Sequence, residues 1–248
     1  MKKILKLCII MAAFCICLLG NGITSKASVA PQEADYTVGG LKFYIHSGQQ
    51  TAAVQIQNKK ADVKIPETVQ IQGKSYKVTE IKSTAIKHDT VVIGKKAKVA
   101  RDNKEYFKNT KAKTVAIPKT VTKIETGAFS YYTKLKKVVI DKENPEYMST
   151  SKGIFSKDGK TLVLAFNGTG TYKVRDNVEK IGDRAFVGTK YSKVSLPDSC
   201  YEIGTRAFFK CSKLKQIKGG SLCICGKYAF FGTKVKGVSK YGTMRFKI

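Results

Sequence analysis

The sequence predicts a mainly β solenoid of about six coils, each about 22 residues long. An Ala-Phe pair recurs at a step of 22 residues, at Ala185-Phe186, Ala207-Phe208 and Ala229-Phe230. Apolar residues also occur seven and four positions before each alanine. A cysteine takes each of these two places once, at Cys200 and at Cys225. This register is more specific than composition alone would give. A fixed period of about 20 to 50 residues is typical of stacked repeats.

The same register predicts two apolar columns along the stack. Another pair, Ala128-Phe129, lies 57 residues before Phe186, and steps of 22 and 21 residues back from it reach Phe107 and Ile86. No coil can bury its apolar side alone, so each column residue is expected to pack on its equivalents and to contribute about 1.5 to 3 kcal/mol. The predicted columns are Ile124, Ile181 and Ile203, and Phe107, Phe129, Phe186, Phe208 and Phe230.

Two short apolar stretches within a coil predict two short strands. One stretch ends in proline, as in 63–66, 115–118 and 194–197, and the other is the stretch that precedes Ala-Phe. Short apolar runs bounded by Pro, Gly and Asn indicate strands joined by tight turns. Six parallel strands about 4.8 Å apart would make a spine of roughly 29 Å.

The 57-residue step contains an insertion, at about residues 141–170. Asp158-Gly159 between two alternating apolar runs predicts a β-hairpin there. Its expected role is architectural, because its apolar face can pack on the spine. Residues 28–60 are predicted to form an N-terminal β cap, since an exposed terminal coil would leave open strand edges. The solenoid is placed at residues 61–248.

Residues 1–27 have the layout of a secretory signal peptide. Three lysines precede an apolar run from Leu7 to Leu19, and Ser25-Lys26-Ala27 has the small-x-small spacing of a cleavage site. The run is shorter than the roughly 20 residues that a membrane-spanning helix needs. The mature chain is therefore expected to have no transmembrane segment and to be secreted or loosely associated with the cell surface.

The chain is strongly basic, with a formal charge of +28. Removal of residues 1–27 takes away four lysines and no acid, which leaves +24. Such a field attracts polyanions and anionic surfaces. Arginine, whose planar guanidinium suits specific phosphate and base contacts, occurs only five times. The charge therefore indicates diffuse attraction, without specific nucleic-acid binding.

Residue types that carry catalysis or bind metals are scarce. The only histidines, His46 and His88, lie in different predicted elements with no motif around either. No nucleophile-elbow, zinc-protease, phosphate-loop or dinucleotide motif occurs. Asp158 and Asp183 are better explained as turn residues. The sequence predicts no enzyme, no cofactor and no metal site.

Four cysteines follow the signal segment: Cys200, Cys211, Cys223 and Cys225. Cys200 replaces a column valine and Cys225 a column isoleucine, so the leading interpretation is that they are small buried apolar residues. The alternative is a disulfide among the four, because export makes one possible and their number is even. One Cys-x-Cys without a second close pair is weak support for zinc.

These repeats resemble the BspA-like class of leucine-rich repeats, and the likeness covers nearly all of residues 61–240. It is carried by 117–124 with Gly127-Ala128-Phe129, and by 196–204 with Ala207-Phe208, Cys211 and Leu214. The resemblance implies a curved right-handed solenoid found in secreted or surface proteins of bacteria that are implicated in adhesion to host or matrix proteins. It also implies a hairpin island within the array and a buried cysteine at Cys211.

Three functions stay open on this basis. The first is a binding module, a monomer whose repeated strand face recognises an extracellular protein or glycan, as in adhesion. The second is a basic envelope protein, held by its charge to anionic cell-wall polymers without a specific protein ligand. The third, a cell-surface enzyme, rests on export alone. The first is favoured.

Overall fold

The chain folds into short β-strands joined by turns. A computed structural model describes residues 35–56, 61–83, 111–130, 132, 134–220, 222–238 and 244–247. The predicted signal, Ile86, Phe107 and His88 lie outside these residues. The described part of the chain contains no helix, and so none that could cross a membrane.

Nineteen strands are described. The first nine are β1 (Asp35–Val38), β2 (Leu41–Ile45), β3 (Thr51–Ile56), β4 (Asp62–Lys64), β5 (Thr68–Ile71), β6 (Lys74–Ile81), β7 (Thr114–Ile117), β8 (Lys123–Ile124) and β9 (Lys137–Ile140). The others are β10 (Tyr147–Ser149), β11 (Gly153–Ser156), β12 (Thr161–Ala165), β13 (Thr171–Lys173), β14 (Lys180–Ile181), β15 (Lys193–Ser195), β16 (Glu202–Ile203), β17 (Gln216–Lys218), β18 (Leu222–Cys225) and β19 (Met244–Lys247).

Each turn of the solenoid contributes one strand to each of two stacks. The front stack consists of two parallel sheets, β4-β7-β9 and β13-β15-β17. The back stack contains β6 and β8, then β12, β14, β16 and β18 in parallel. The antiparallel strands β10 and β11 precede β12 in the second back sheet, and β19 pairs with β18 at its other end. Six front strands give the predicted six turns.

The core of the C-terminal turns is built of stacked columns. Phe186, Phe208 and Phe230 are completely buried, and their ring centroids are 4.7 and 5.5 Å apart along the stack. Ile181 is paired with Ile203, which is paired in turn with Cys225. Parallel strands in register bring equivalent residues about 4.8 Å apart, so each covers the apolar surface of the one before.

The N-terminal turns have a separate core with less regular columns. Phe129 is buried and packs edge-on against Tyr132, with 5.5 Å between ring centroids. Ile124 is only partly buried, and its backbone N–H donates to the Tyr147 hydroxyl at 3.1 Å. Strands β1, β2 and β3 are antiparallel and join β6 through β3. Their role as a cap stays a prediction.

The order of the turns differs from the predicted order at one place. The sequence predicts a coil around Phe107 between those of Ile81 and Ile124, whereas β6 pairs directly with β8 and brings Ile81 beside Ile124. The number of turns is completed instead by β9 in the front stack and β12 in the back stack, which form the third turn along the chain. Asp102 stands at the isoleucine place of the predicted coil, and an unpaired carboxylate is costly in an apolar column.

The antiparallel hairpin of β11 and β12 lies within this third turn. Gly159, in the predicted Asp158-Gly159 turn, has a left-handed backbone with φ of 75°. Asn144 ties the start of the segment to the preceding turn: its amide donates to the carbonyls of Pro118 and Val121 at 3.0 and 2.8 Å. Its oxygen accepts from the next backbone N–H groups, so this fully buried side chain is satisfied.

The third side of the C-terminal turns also has a regular backbone ladder. We name the segments 183–189, 205–211 and 227–233 the turn side. The N–H of Phe186 donates to the carbonyl of Ala207, and that of Phe208 to the carbonyl of Ala229, both at 2.8 Å. Backbone groups on this side find partners in the next turn, as buried polar groups require.

Candidate interaction surface

The outer face of the front sheet β13-β15-β17 is lined by polar side chains in rows. Tyr172, Val194 and Ile217 are buried at the middle of each strand, so the residues before and after them point outward. Strand pairing aligns these residues across the sheet. The two outward rows are Thr171, Lys193 and Gln216, and Lys173, Ser195 and Lys218.

The positive charge of this face is not balanced by acids. Lys193 and Lys218 form no ion pair within the described residues. Lys173 lies 3.8 Å from Asp176, but their side chains are 72% and 86% exposed, and such a pair contributes little. Lys173 and Lys218 belong to one row and are attached roughly 10 Å apart, two strand spacings. The front sheet thus presents uncompensated lysines at regular intervals.

The outer face of the back sheet carries paired charges. The Lys180 ammonium lies 2.7 Å from the Glu202 carboxylate on the next strand. At the start of the same sheet, directly before β12 and β14, the Lys160 ammonium lies 2.8 Å from the carboxylate of Glu179, and this hydrogen bond raises the pKa of Lys160. The same twenty-two-residue repeat therefore presents neutral ion pairs on one face and free cations on the other.

Charge is also unevenly distributed along the chain. Residues 203–248 include eleven Lys or Arg and no Asp or Glu. Lys213 and Lys215, which directly precede β17, are exposed. Residues 203–248 consequently carry a formal charge of +11 with no acid among them, a feature that the overall composition does not reveal.

The four cysteines are buried free thiols in the C-terminal core. The Cys223 thiol donates to the carbonyl of Cys200 at 3.2 Å, and a hydrogen bond between the two thiols raises the pKa of Cys200. The Cys211 thiol donates to the carbonyl of Phe186 at 2.8 Å, and burial raises its pKa to about 11. The hydrogen bond with Cys200 lowers the pKa of Cys223, whereas the Cys200 and Cys211 thiols are held protonated and are poor nucleophiles. A disulfide stays an alternative prediction, with Cys200 and Cys223 as the pair in contact.

His46 belongs to a small ion cluster in the N-terminal region. Its Nε2 lies 3.6 Å from a carboxylate oxygen of Glu80, whose other oxygen lies 2.8 Å from Lys123 Nζ. The histidine Nδ1 is 2.8 Å from the hydroxyl of Thr51. Glu80 is only 8% exposed, so this cluster compensates a buried carboxylate and joins the end of β2 to β6 and β8. The described residues contain no group of three or more potential metal ligands.

Stacked parallel strands with repeated inward columns define a leucine-rich-repeat solenoid. Six copies of the BspA type leucine-rich repeat region match residues 100–161 and 164–244. The chain belongs to this family. A comparison with curated proteins gives no match.

Several solved structures are similar to the chain at low identity. A leucine-rich cell surface protein from Faecalibacterium prausnitzii A2-165 is 20% identical, with a TM-score of 0.39, over 84% of this chain. The chain spans 57% of that protein. A leucine-rich repeat protein from T. pallidum is 16% identical, with a TM-score of 0.40, over 82% of this chain and 92% of its own. The pneumococcal vaccine antigen PcpA is 16% identical, with a TM-score of 0.36, and the similarity covers 82% of this chain and 80% of PcpA.

Proposed function

We propose that this chain is a non-enzymatic extracellular protein that binds an acidic partner, a protein or a glycan, through the outer face of the front sheet β13-β15-β17. The resemblance of the repeats to the BspA-like class implies a surface protein with an interaction role. The observation that carries the proposal is the charge contrast between the two faces. Lys193 and Lys218 have no ion pair in the described part of the chain, whereas Lys180 on the back is neutralised by Glu202.

The arrangement of the front sheet supports recognition of carboxylates. Ammonium groups form charge-assisted hydrogen bonds with carboxylates, and the neighbouring hydroxyls of Thr171 and Ser195 and the amide of Gln216 add neutral donors. Positive charge gathered on one face also steers an acidic partner and speeds association. In this proposal the chain acts as a monomer outside the cell, after removal of residues 1–27, and adhesion follows from the binding.

The test compares two variants that lose the same charge. Lys173, Lys193 and Lys218 are changed to glutamine in one, and Lys74, Lys77 and Lys152, exposed lysines outside the front sheet, in the other. Binding to immobilised poly-L-glutamate is measured over a range of salt. The front-sheet variant is expected to bind about tenfold more weakly. The slope of log affinity against log salt concentration is expected to become shallower by about three, one for each lysine removed. The control variant is expected to stay within about twofold of wild type. Equal losses in the two variants would overturn the assignment of the front sheet.

A second function has its own support in the eleven cations and no acids of residues 203–248. Here the chain is a basic envelope protein that adsorbs to anionic cell-wall polymers without a specific ligand. Graded salt extraction of cells that produce the protein tests this function. Adsorption by charge alone predicts gradual release as salt rises, with equal shifts for the two lysine variants. Retention at high salt contradicts it.

A further inference from the structure

The turn side of the last two turns carries a cluster of cations and aromatic rings. We name Arg206, Phe209, Lys210, Tyr228 and Phe231 the turn-side patch. The rings of Phe209 and Phe231 stack with centroids 5.3 Å apart and 16° between their planes. Tyr228 meets Phe231 edge-on at 6.4 Å. All five residues are partly exposed, so the patch is open to a partner.

Both cations lie over aromatic rings. The Arg206 guanidinium is 5.3 Å from the centroid of Tyr228 and 6.0 Å from that of Phe209, and Lys210 Nζ is 5.5 Å from that of Phe209. Cation–π attraction holds the two side chains against the rings. Burial lowers the pKa of Lys210, as expected for an ammonium partly withdrawn from water. A carboxylate meets a stronger field at such a group than at a fully hydrated lysine.

The backbone at this patch is unusual for its residue types. Arg206, Lys210 and Tyr228 have φ of 56°, 57° and 58°, in the left-handed region. The place of Arg206 is also left-handed in earlier turns, at Gly127 and Arg184 with φ of 80° and 58°. The place of Lys210, in contrast, holds a glycine in the preceding turn, Gly188, with φ of 70°. Glycine adopts this conformation freely, whereas a side chain makes it costly. The left-handed lysine at Lys210 is therefore the strained residue particular to this patch, and such residues cluster at functional sites.

The last turn leaves room for the Lys210 side chain. Gly232 faces it, and a Cβ at that glycine would lie 3.2 Å from Lys210 Cα and 3.7 Å from its Cγ. A larger residue at Gly232 would therefore crowd Lys210. Glycine on the neighbouring turn and lysine on this one together allow the ammonium to lie beside Phe209.

The composition of the patch identifies the chemistry of its partner. The patch holds two cations beside its rings, and such a surface favours a partner that carries negative charge. Phe231 and the two cations lie over the Phe209 ring, which leaves mainly the edge of that ring for contact. A ring edge suits apolar side chains better than the broad face of a sugar. Tyrosine, phenylalanine and arginine are also enriched at protein–protein interfaces.

We propose that the turn-side patch is a second binding surface, which takes a protein segment with carboxylates beside aromatic side chains. The carboxylates pair with Arg206 and Lys210, and the aromatic side chains pack on the edges of Phe209 and Phe231. None of these residues belongs to the front sheet, so the two surfaces can be tested separately.

The test uses the full chain and two acidic probes of matched length, a random glutamate–tyrosine copolymer and poly-L-glutamate. At about 150 mM salt, where distant charges are screened, wild type is expected to bind the copolymer about tenfold more tightly. Changing Phe209 and Phe231 to valine is expected to remove this preference and to leave poly-L-glutamate binding unchanged. Valine is suitable because Val187 occupies the corresponding place in the preceding turn and is buried there.

A second variant separates binding from stability. Changing Arg206 and Lys210 to glycine removes two left-handed side chains from the backbone, so the melting temperature is expected to stay equal or rise while copolymer binding falls about tenfold. The front-sheet glutamine variant is expected to keep the preference for the copolymer even as its overall affinity falls. The proposal is overturned by a wild-type chain without the preference, or by a preference that survives in the valine variant. It is also overturned if polygalacturonate, an acidic glycan, shows the ring-dependent binding and the copolymer does not.

Discussion

The N-terminal and C-terminal turns follow one repeat plan with different regularity. In the C-terminal turns three phenylalanines form a continuous stack with centroids 4.7 and 5.5 Å apart. In the N-terminal turns Phe129 packs edge-on against Tyr132, and Ile124 is only partly buried. A constant step of 22 residues places equivalent side chains on top of one another, both in the core and on the outer faces of the solenoid. The regular half therefore has the better-ordered core and also both proposed binding surfaces.

The largest expected effect comes from the phenylalanine columns. Phe208→Ala removes the middle ring of a three-ring stack and is expected to cost about 4 kcal/mol of unfolding free energy. Phe129→Ala removes a ring with less stacking and is expected to cost at least about 1 kcal/mol less, because fewer contacts are lost. Denaturant unfolding followed by circular dichroism measures both. Equal costs would show that the two halves are equally well packed.

The next effect concerns the link between the two halves at Asn144. Replacement by alanine leaves the N–H groups of Glu146 and Tyr147 and the carbonyls of Pro118 and Val121 without this partner. The expected loss is about 3 kcal/mol of unfolding free energy. Asn167 is a suitable control, because its side-chain oxygen accepts a solvent-exposed hydrogen bond from the backbone N–H of Lys190, at 3.1 Å. Its replacement is expected to cost about 1 kcal/mol. A loss at Asn144 no larger than that at Asn167 would contradict the linking role.

A smaller effect depends on pH and on the C-terminal core alone. Burial raises the pKa of Cys211 from 9.0 to about 11. The unfolded chain therefore releases this proton first, and the stability present below pH 9 is lost between pH 9 and pH 11. Relative to Cys211→Ala, wild type is expected to lose about 1.4 kcal/mol between pH 8 and pH 10, which urea unfolding at each pH measures. A difference between the two proteins that stays constant over this range contradicts a buried, protonated thiol.

The smallest effect compares the two faces of the C-terminal turns. Lys180→Gln breaks a 2.7 Å ion pair with Glu202 whose side chains are 39% and 35% exposed, so its expected cost is at most about 1 kcal/mol. Lys193→Gln breaks no ion pair and is expected to change stability by less than about 0.5 kcal/mol. Thermal unfolding of the two variants at low salt resolves the difference. A larger loss from Lys193→Gln would indicate an acidic partner for this lysine within the chain.

The sequence predicted most of the regular half because its signal is periodic. Ala-Phe at a step of 22 residues identified Phe186, Phe208 and Phe230. The same step between Ala-Phe-Phe at 207–209 and at 229–231 is the sequence signal for the stack of Phe209 on Phe231. Periodicity could not show where β6 pairs, because the choice between the coil around Phe107 and the hairpin turn depends on which segment can bury an apolar column.

The proposed surfaces were less predictable than the fold. Composition gave the charge, but the separation of Lys193 from acids and the pairing of Lys180 with Glu202 depend on which face each strand residue occupies. Similarly, the contact of Cys223 with Cys200 requires both side chains to point inward, and the predicted register assigned the inward place in the last turn to Leu222 as well as Cys225.

Amide hydrogen exchange with peptide resolution tests the difference between the two halves most directly. Exchange depends on local opening, which is rarer where columns and backbone ladders are continuous. The amides of β14, β16 and the turn side at 205–211 are expected to exchange at least about tenfold more slowly than those of β7 and β8. Equal protection in the two halves, or faster exchange in the C-terminal turns, would contradict the account.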